Sequence, residues 1–109
     1  MFRIFKTKEF ETDLEKLDNS EKIVVNKILK QLKEIGDSVG KPLSGLSFFK
    51  EKKIKGKRIY FLVYKSWGTI LLLAISDKKA QNATINAILL NIAEYQEYTY
   101  ETLKNMKLL

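Results

Sequence analysis

The sequence predicts a single α+β domain spanning residues 1–109, in which a curved antiparallel β-sheet packs against an N-terminal helical hairpin and a C-terminal helix. The 109 residues, 45% of them hydrophobic, are enough for one core and too few for two. The spacing of apolar residues is helical up to residue 35, strand-like from residue 49 to 76, and helical again after residue 79. A short apolar segment precedes the first helix, so the predicted order is β-α-α-β-β-β-α.

The first strand is predicted over Phe2 to Phe5, where apolar and charged residues alternate loosely. Thr7 is the expected N-cap of the first helix, because a threonine oxygen can accept a hydrogen bond from the first helical turn. Glu9 and Glu11 then lie at the positive end of the helix dipole. The apolar face of this helix consists of Phe10, Leu14 and Leu17.

The second helix should begin after Asp18, because Asp18 and Glu21 have the spacing of a capping box, with Ser20 as a competing cap. Gly36 is expected just past its end, in the left-handed conformation that glycine adopts there. The predicted apolar face consists of Ile23, Val24, Ile28, Leu32 and Ile35. The two helices together form a hairpin with one apolar side.

A loop at residues 36–47 follows, with the only proline and three of the five glycines of the chain. Strands are predicted at residues 49–54, 57–64 and 69–76. Because the linkers between them are short, neighbouring strands should pair antiparallel. The last helix is expected from Lys79 onwards. Its apolar face consists of Ile85, Ile88, Leu89, Ile92 and Tyr95.

The composition excludes several kinds of chemistry. Without cysteine or histidine there is no disulfide, no thiolate nucleophile, no catalytic dyad built on histidine and no thiolate or imidazole zinc site, so no cofactor or metal is predicted. The N-terminus lacks a signal-peptide pattern, and the longest apolar run, residues 69–75, is too short to span a membrane, which favours a cytoplasmic protein. A pI near 9.5 predicts an acidic partner: nucleic acid, an anionic membrane surface or an acidic protein.

Most of the positive charge lies in residues 49–64, FKEKKIKGKRIYFLVY. Six cations and one carboxylate, Glu51, give this stretch a charge of +5 in a chain of +7. The cations are Lys50, Lys52, Lys53, Lys55, Lys57 and Arg58. A solvated edge strand often carries lysines, but adjacent like charges are destabilising and spread charge would protect an edge equally well. The concentration of charge therefore indicates a functional surface.

Side chains alternate across a strand, so Arg58 and Tyr60 should share one face of the second hairpin strand. The opposite face carries the apolar Ile59, Phe61 and Val63, which belong under the helices. Lys53 and Lys55 are then expected beside Arg58 on an open face. Cations and aromatic rings on one face can grip phosphate and stack a base, although tyrosine is also an ordinary strand residue.

Five segments carry a family resemblance. They are Pro42 to Gly45, Glu51 to Lys53, Gly56, Arg58 to Phe61, and Asp77, Lys78 and Gln81. Their order and spacing resemble the RelE/ParE toxin superfamily, most of all its HigB-like addiction module killer branch. That branch shows a proline-leucine-x-glycine loop, a glutamate-x-basic strand, a glycine turn followed by arginine and aromatics, and an aspartate-lysine-x-x-glutamine segment that opens the last helix. The resemblance covers nearly the whole chain.

This resemblance implies a RelE-like fold and the toxin of a type II toxin–antitoxin pair. Such toxins typically cut messenger RNA on the ribosome, and an antitoxin protein, often a helix-turn-helix DNA-binding repressor, neutralises them in a complex. The basic catalytic residues of the family match Lys53, Arg58 and Lys78. Two departures stand out, because the turn at Gly56 is shorter than usual in this branch and no histidine exists to act as acid or base.

Metal-independent RNA cleavage by the substrate's own 2′-hydroxyl needs a proton acceptor, stabilisation of the phosphorane, and a proton donor for the 5′-oxygen. Arg58 can bind two phosphate oxygens at once. Lys53 or Lys55, each crowded by like charges, is the candidate base, and Lys78 is the candidate acid or phosphate clamp. Contacts to RNA or phosphate are further expected from Lys50, Lys52, Lys57, Tyr60 and Lys79.

Two other functions fit the same residues. A toxin of the ParE kind inhibits DNA gyrase by binding it, and its basic hairpin would then be a contact surface without chemistry. An inactive relative that only binds nucleic acid would also carry this charge. The basic and aromatic open face favours the nuclease, whereas the absence of histidine counts against it.

Overall fold

A computed structural model describes all 109 residues, from Met1 to Leu109. Its elements are β1 (Arg3–Lys6), α1 (Lys8–Glu15), α2 (Asn19–Ile35), β2 (Lys41–Leu43), β3 (Leu46–Ile54), β4 (Lys57–Tyr64), β5 (Thr69–Asp77), α3 (Gln81–Leu90) and α4 (Ile92–Asn105). The predicted α+β class is confirmed. The sequence prediction missed the short strand β2, which forms within the proline-containing loop, and the division of the last helix in two at Asn91.

The five strands form one mixed sheet in the order β1-β5-β4-β3-β2. The strands joined by short turns are antiparallel, as predicted, but β1 lies parallel to β5. The prediction that all strands of the sheet pair antiparallel was therefore wrong. The reason is that both helices intervene after β1, so no tight turn fixes its direction.

Both faces of the sheet are covered by helices. One core lies between the sheet and helices α1 and α2, and it contains Phe10, Val25, Ile28, Leu32, Ile59, Phe61, Val63, Ile70 and Leu72. The other core lies under α3 and α4, and it contains Phe49, Tyr60, Leu62, Leu71, Leu73 and Ile88. Ile59, Phe61 and Val63 therefore lie under the N-terminal helices as predicted. The face opposite them is not open.

Helix α1 is anchored to β5 by two polar side chains. Thr7 Oγ1 accepts a hydrogen bond from Phe10 N at 3.0 Å, which confirms the predicted N-cap, and donates to the Leu73 carbonyl at 2.8 Å. Asp13 Oδ2 accepts from Ile75 N at 2.9 Å, beyond the end of β1. These bonds satisfy backbone groups on the edge of β5 that β1 is too short to reach.

Helix α2 begins with the predicted capping box of Asp18 and Glu21. Its buried face is rotated from the predicted one. The residues that enter the core are Val25, Ile28 and Leu32. Ile23 and Ile35, which were expected on the apolar face, are 57% and 54% exposed. Ile23 lies about 200° around the helix from Val25, and Ile35 is the last residue of the helix.

Gly36 does not have the left-handed conformation expected of it. Its φ and ψ are −49° and −38°, and it begins a single 3₁₀ turn, Gly36–Ser38. It is buried, and a Cβ at this position would overlap Ile70 Cδ1 and lie 3.1 Å from the Phe2 ring. The glycine is needed for close packing against the sheet rather than for backbone freedom.

We expect Gly36→Ala to lower the free energy of unfolding by about 1–3 kcal/mol, because Ile70 is fully buried and cannot move aside freely. Gly56→Ala is the matched control, since nothing lies within 4 Å of a Cβ there and its φ is not positive. Urea denaturation followed by circular dichroism measures both. Equal stability of the two variants would contradict this account of Gly36.

None of the helices combines the length and the apolar character that crossing a membrane requires.

Candidate functional site

A buried ion pair lies where β3, β4 and α3 meet. Glu51 on β3 is 2% exposed and Arg58 on β4 is 8% exposed, with 3.8 Å between Arg58 Nε and Glu51 Oε1. Gln81, the first residue of α3, donates from Nε2 to Glu51 Oε2 at 2.8 Å. Three residues that carry the family resemblance thus form one contact cluster.

The two residues of the ion pair are not hydrogen-bonded to each other. Arg58 Nε and Glu51 Oε1 are both buried, and neither has a hydrogen-bond partner. A charge removed from water costs several kcal/mol unless an opposite charge compensates it, so each of the two residues needs the other. Glu51 is therefore the counter-charge of the Arg58 guanidinium, and Gln81 hydrogen-bonds the other carboxylate oxygen of Glu51.

Tyr60 lies beside this pair and is fully buried. Its hydroxyl is 2.8 Å from Ser76 Oγ, and Ser76 Oγ in turn donates to the Asp77 carbonyl at 3.0 Å. Because the single serine proton is directed to that carbonyl, Tyr60 is the donor in the first bond. Burial raises the pKa of Tyr60, so its hydroxyl stays protonated at neutral pH.

The burial of Tyr60 and Arg58 corrects the predicted open face. Both residues lie on the predicted side of β4, but α3 and α4 cover that side. No base can stack on the Tyr60 ring in this conformation. Alternation along the strand gave the correct face, whereas exposure depended on where the C-terminal helices pack.

A bulge in β5 directs Ser76 to this face. Tyr60 pairs with Ala74 and Phe61 with Leu72, which leaves Leu73 without a partner on β4. One extra residue reverses the alternation beyond it, so that Ser76 lies directly opposite Arg58. The bulge thereby brings the end of β5 into the cluster.

Lys53 and Lys78 are exposed cations at the end of the sheet where Arg58 lies. Lys53 is exposed and is the direct cross-strand partner of Arg58, which places their Cβ atoms about 5 Å apart. Lys78 follows β5 in the exposed turn before α3, two residues beyond Ser76, and Lys79 is exposed next to it. The predicted catalytic residues Lys53, Arg58 and Lys78 are therefore brought to one end of the sheet.

The remaining lysines of the hairpin lie elsewhere. Lys55 occupies the turn with φ 50°, and its Nζ donates to Ser20 Oγ at 3.1 Å, at the start of α2. Lys52 and Lys57 lie on the α1–α2 side of the sheet by strand alternation, and Lys57 lines a cleft with Asp77. Lys50 lies on that side too and is 8% exposed. These four residues do not share a surface with Arg58, contrary to the prediction for Lys55.

Glu51, Gln81 and Ser76 are the three members of the cluster to which no role was assigned from sequence. Gln81 belongs to the aspartate-lysine-x-x-glutamine segment, so the sequence did single out this residue. The motif does not reveal which carboxylate accepts a hydrogen bond from its amide. Ser76 is recognisable from sequence as a polar residue at the end of the third predicted strand, but the face on which it lies depends on the bulge. No group of three or more acidic residues lies close enough to hold a metal ion.

No protein-family profile and no curated protein matches this sequence. Several solved structures share its fold. The isolated E. coli RelE toxin superimposes with a TM-score of 0.64 at 13% identity, over 81% of this chain and 99% of that chain. A chain of the RelBE2 toxin–antitoxin complex from Mycobacterium tuberculosis gives 0.61 at 20% identity, over 71% and 91%. A chain of the RelB-RelE antitoxin–toxin complex from Methanococcus jannaschii gives 0.60 at 15% identity, over 72% and 95%. The chain therefore has the fold of the RelE toxins.

Proposed function

We propose that this protein is the toxin of a type II toxin–antitoxin pair, of the HigB-like branch, and that it cuts messenger RNA on the ribosome. The observation that carries the proposal is the placement of Lys53 and Lys78 at the same end of the sheet as an arginine that pairs with a buried carboxylate. The fold supports it, since solved structures with this fold include RelE toxins in complex with RelB antitoxins.

In this proposal, Arg58 binds the scissile phosphate. A guanidinium can bind two phosphate oxygens at once and remains charged throughout the reaction. The Nε of Arg58 is buried, so the phosphate is bound through the terminal Nη groups. Because burial and the charge of Glu51 restrict the guanidinium before RNA arrives, little reorganisation is needed when negative charge develops on the phosphorane.

Lys53 and Lys78 carry the proton transfers. Lys53 accepts the proton of the 2′-hydroxyl in the fraction of molecules in which it is a neutral amine, since an ammonium group has no acceptor. The 2′-oxygen forms a bond to phosphorus and gives a 2′,3′-cyclic phosphate. Lys78 donates a proton to the departing 5′-oxygen as the bond between that oxygen and phosphorus breaks. Tyr60 takes no part, since it is buried and its proton is held by Ser76. Two lysines are weaker acid–base catalysts than histidine near neutral pH, which agrees with a need for the ribosome to position the substrate.

The partner that neutralises the toxin is proposed to be an antitoxin with an acidic segment. Lys53, Lys78 and Lys79 are exposed cations near Arg58, and an acidic chain laid over them would block access to the guanidinium. Charge complementarity of this kind chiefly accelerates association.

Inhibition of DNA gyrase is the second candidate function, and one observation favours it. The burial of Tyr60 removes the aromatic surface on which an RNA base was expected to stack. A toxin that acts by binding alone needs no such surface, and the exposed lysines would then contact protein or DNA.

Induced expression in bacterial cells distinguishes the two functions. We expect growth arrest within the first doubling time, with messenger RNA cuts inside translated frames and intact chromosomal DNA. Sequencing of transcript 5′ ends and pulsed-field gels of the chromosome measure the two outcomes. Intact transcripts together with double-strand DNA breaks would refute the nuclease and favour gyrase.

A further inference from the structure

A cavity of about 300 Å³ lies on the side of the sheet opposite Glu51. It is bordered by the 3₁₀ turn Gly36–Ser38, by β2 and β3, and by the end of β4. We call it the back cavity; its lining includes Lys50, Lys65, Asp37, Ser47, Phe48 and Pro42. Its volume is at the lower end of the range of about 300–1,000 Å³ that is typical of small-molecule sites.

The back cavity contains a buried ammonium group that the proposed function does not use. Lys50 is 8% exposed, and its Nζ donates to one acceptor, the Asp37 carbonyl. An ammonium group has three N–H donors, so two of them meet no protein acceptor. The two ion pairs of the structure involve other cations, Arg58 and Lys65. Lys50 is thus a buried charge without a counter-charge, which is costly unless a ligand or solvent compensates it.

A second ammonium group, that of Lys65, also contacts Asp37. Lys65 Nζ lies 3.3 Å from Asp37 Oδ2, and both of these side chains are substantially exposed. An exposed pair of this kind contributes little to stability, about 0–1 kcal/mol, so another anion can displace the Asp37 carboxylate easily. Ser47 adds a hydroxyl to the lining, while Phe48 and Pro42 add an apolar wall.

We propose that the back cavity binds a phosphate group, either free phosphate or the phosphoryl group of a small phosphomonoester. Lys50 and Lys65 would hold the phosphate oxygens, Ser47 would donate a further hydrogen bond, and an organic group would lie against Phe48 and Pro42. Lysine binds phosphate as a point charge and needs no fixed orientation. The site lies on the other side of the sheet from Arg58, so the inference does not rest on the proposed nuclease function.

A purely structural role for Lys50 makes a different prediction. Lysines near the end of a helix often bond a terminal carbonyl, and the Asp37 carbonyl belongs to the 3₁₀ turn that follows α2. In that case, Lys50 would stabilise the fold and phosphate would have no effect of its own. The two roles are separated by the response to phosphate.

The experiment is a thermal-shift titration of the full-length protein with inorganic phosphate, with sodium chloride at matched ionic strength as the reference. At ten times the dissociation constant we expect the Tm to rise by roughly 5 °C. Lys50→Met keeps the length and packing of the side chain but removes the charge, and it should abolish the shift. Phosphate also stabilises proteins in general, because it is excluded from their surface. Specific binding is therefore measured by the difference between the Tm shift of the parent protein and that of Lys50→Met.

Two further variants keep the proposal testable if Lys50→Met does not fold. Asp37→Asn preserves the carbonyl that Lys50 binds but removes the competing carboxylate, so phosphate affinity should rise by up to about fivefold. Lys65→Ala should weaken binding by a similar factor. Unchanged phosphate affinity in both variants would overturn the proposal.

Adenosine 5′-monophosphate and adenosine distinguish the source of the phosphate group. Tighter binding of the nucleotide than of inorganic phosphate would assign the site to phosphomonoesters, and equal binding would assign it to the free anion. Binding of adenosine as tightly as the nucleotide would overturn a phosphate site. So would a parent protein whose Tm responds no more to phosphate than that of Lys50→Met.

Discussion

Glu51→Ala should lower the free energy of unfolding by about 3 kcal/mol or more, which is a large share of the 5–15 kcal/mol typical of a domain. The substitution leaves the buried guanidinium of Arg58 without its counter-charge and removes the acceptor of the Gln81 amide. Arg58→Ala should cost a similar amount, because it leaves Glu51 as a buried carboxylate with only one neutral donor. Urea denaturation followed by circular dichroism measures both variants.

The double variant Glu51→Leu/Arg58→Met is the matched control. It removes both charges and keeps apolar volume, so it should be destabilised by much less than the sum of the two single changes. A Glu51→Ala protein within about 0.5 kcal/mol of the parent would show that the pair is effectively solvated, and the buried-pair account would then be wrong.

Arg58→Lys should reduce ribosome-dependent RNA cleavage by about a hundredfold while the protein stays folded. The variant keeps a positive charge beside Glu51, so the buried carboxylate retains a partner. It loses the ability to bind two phosphate oxygens at once. Removal of one preorganised donor to a transition-state oxyanion typically lowers kcat by a factor of about 10²–10³. The measurement is the rate of transcript cleavage on programmed ribosomes.

Lys57→Ala is the control for this prediction. Lys57 is next to Arg58 in the chain but lies on the opposite face of β4, where it lines a cleft with Asp77. Its loss should leave the cleavage rate within about twofold of the parent if the charge of the hairpin as a whole does not matter. Equal losses for Arg58→Lys and Lys57→Ala would indicate general attraction of RNA rather than a phosphate site at Arg58.

The local features of this fold could be predicted from sequence because their causes are local. The Thr7 cap and the capping box of Asp18 and Glu21 depend on side chains that bond the backbone three residues away. Strand alternation placed Ile59 and Arg58 on the correct faces of β4 for the same reason.

The missed features depend on contacts between distant segments. The parallel pairing of β1 with β5 joins strands that are more than 60 residues apart. The close packing of Gly36 against Ile70 likewise joins a helix end to a strand that follows much later. No pattern within either segment specifies such a neighbour.

The candidate site was predicted in part. Lys53, Arg58 and Lys78 could be located from the resemblance, and they do lie at one end of the sheet. The burial of Arg58 could not be predicted, since it results from α3 and α4 covering a face that the strand pattern left unspecified. Lys55 was misplaced because the turn gives it a positive φ and directs it to Ser20.

Cleavage of messenger RNA on purified ribosomes by the purified protein tests the central claim most directly. The proposed mechanism predicts cuts within the translated frame that leave a 2′,3′-cyclic phosphate and a 5′-hydroxyl, no requirement for added metal beyond what the ribosome needs, and loss of the cuts when Lys53 and Lys78 are both changed to alanine. A parent protein that leaves the transcript intact on translating ribosomes, or a double variant that cuts as fast as the parent, would contradict the account.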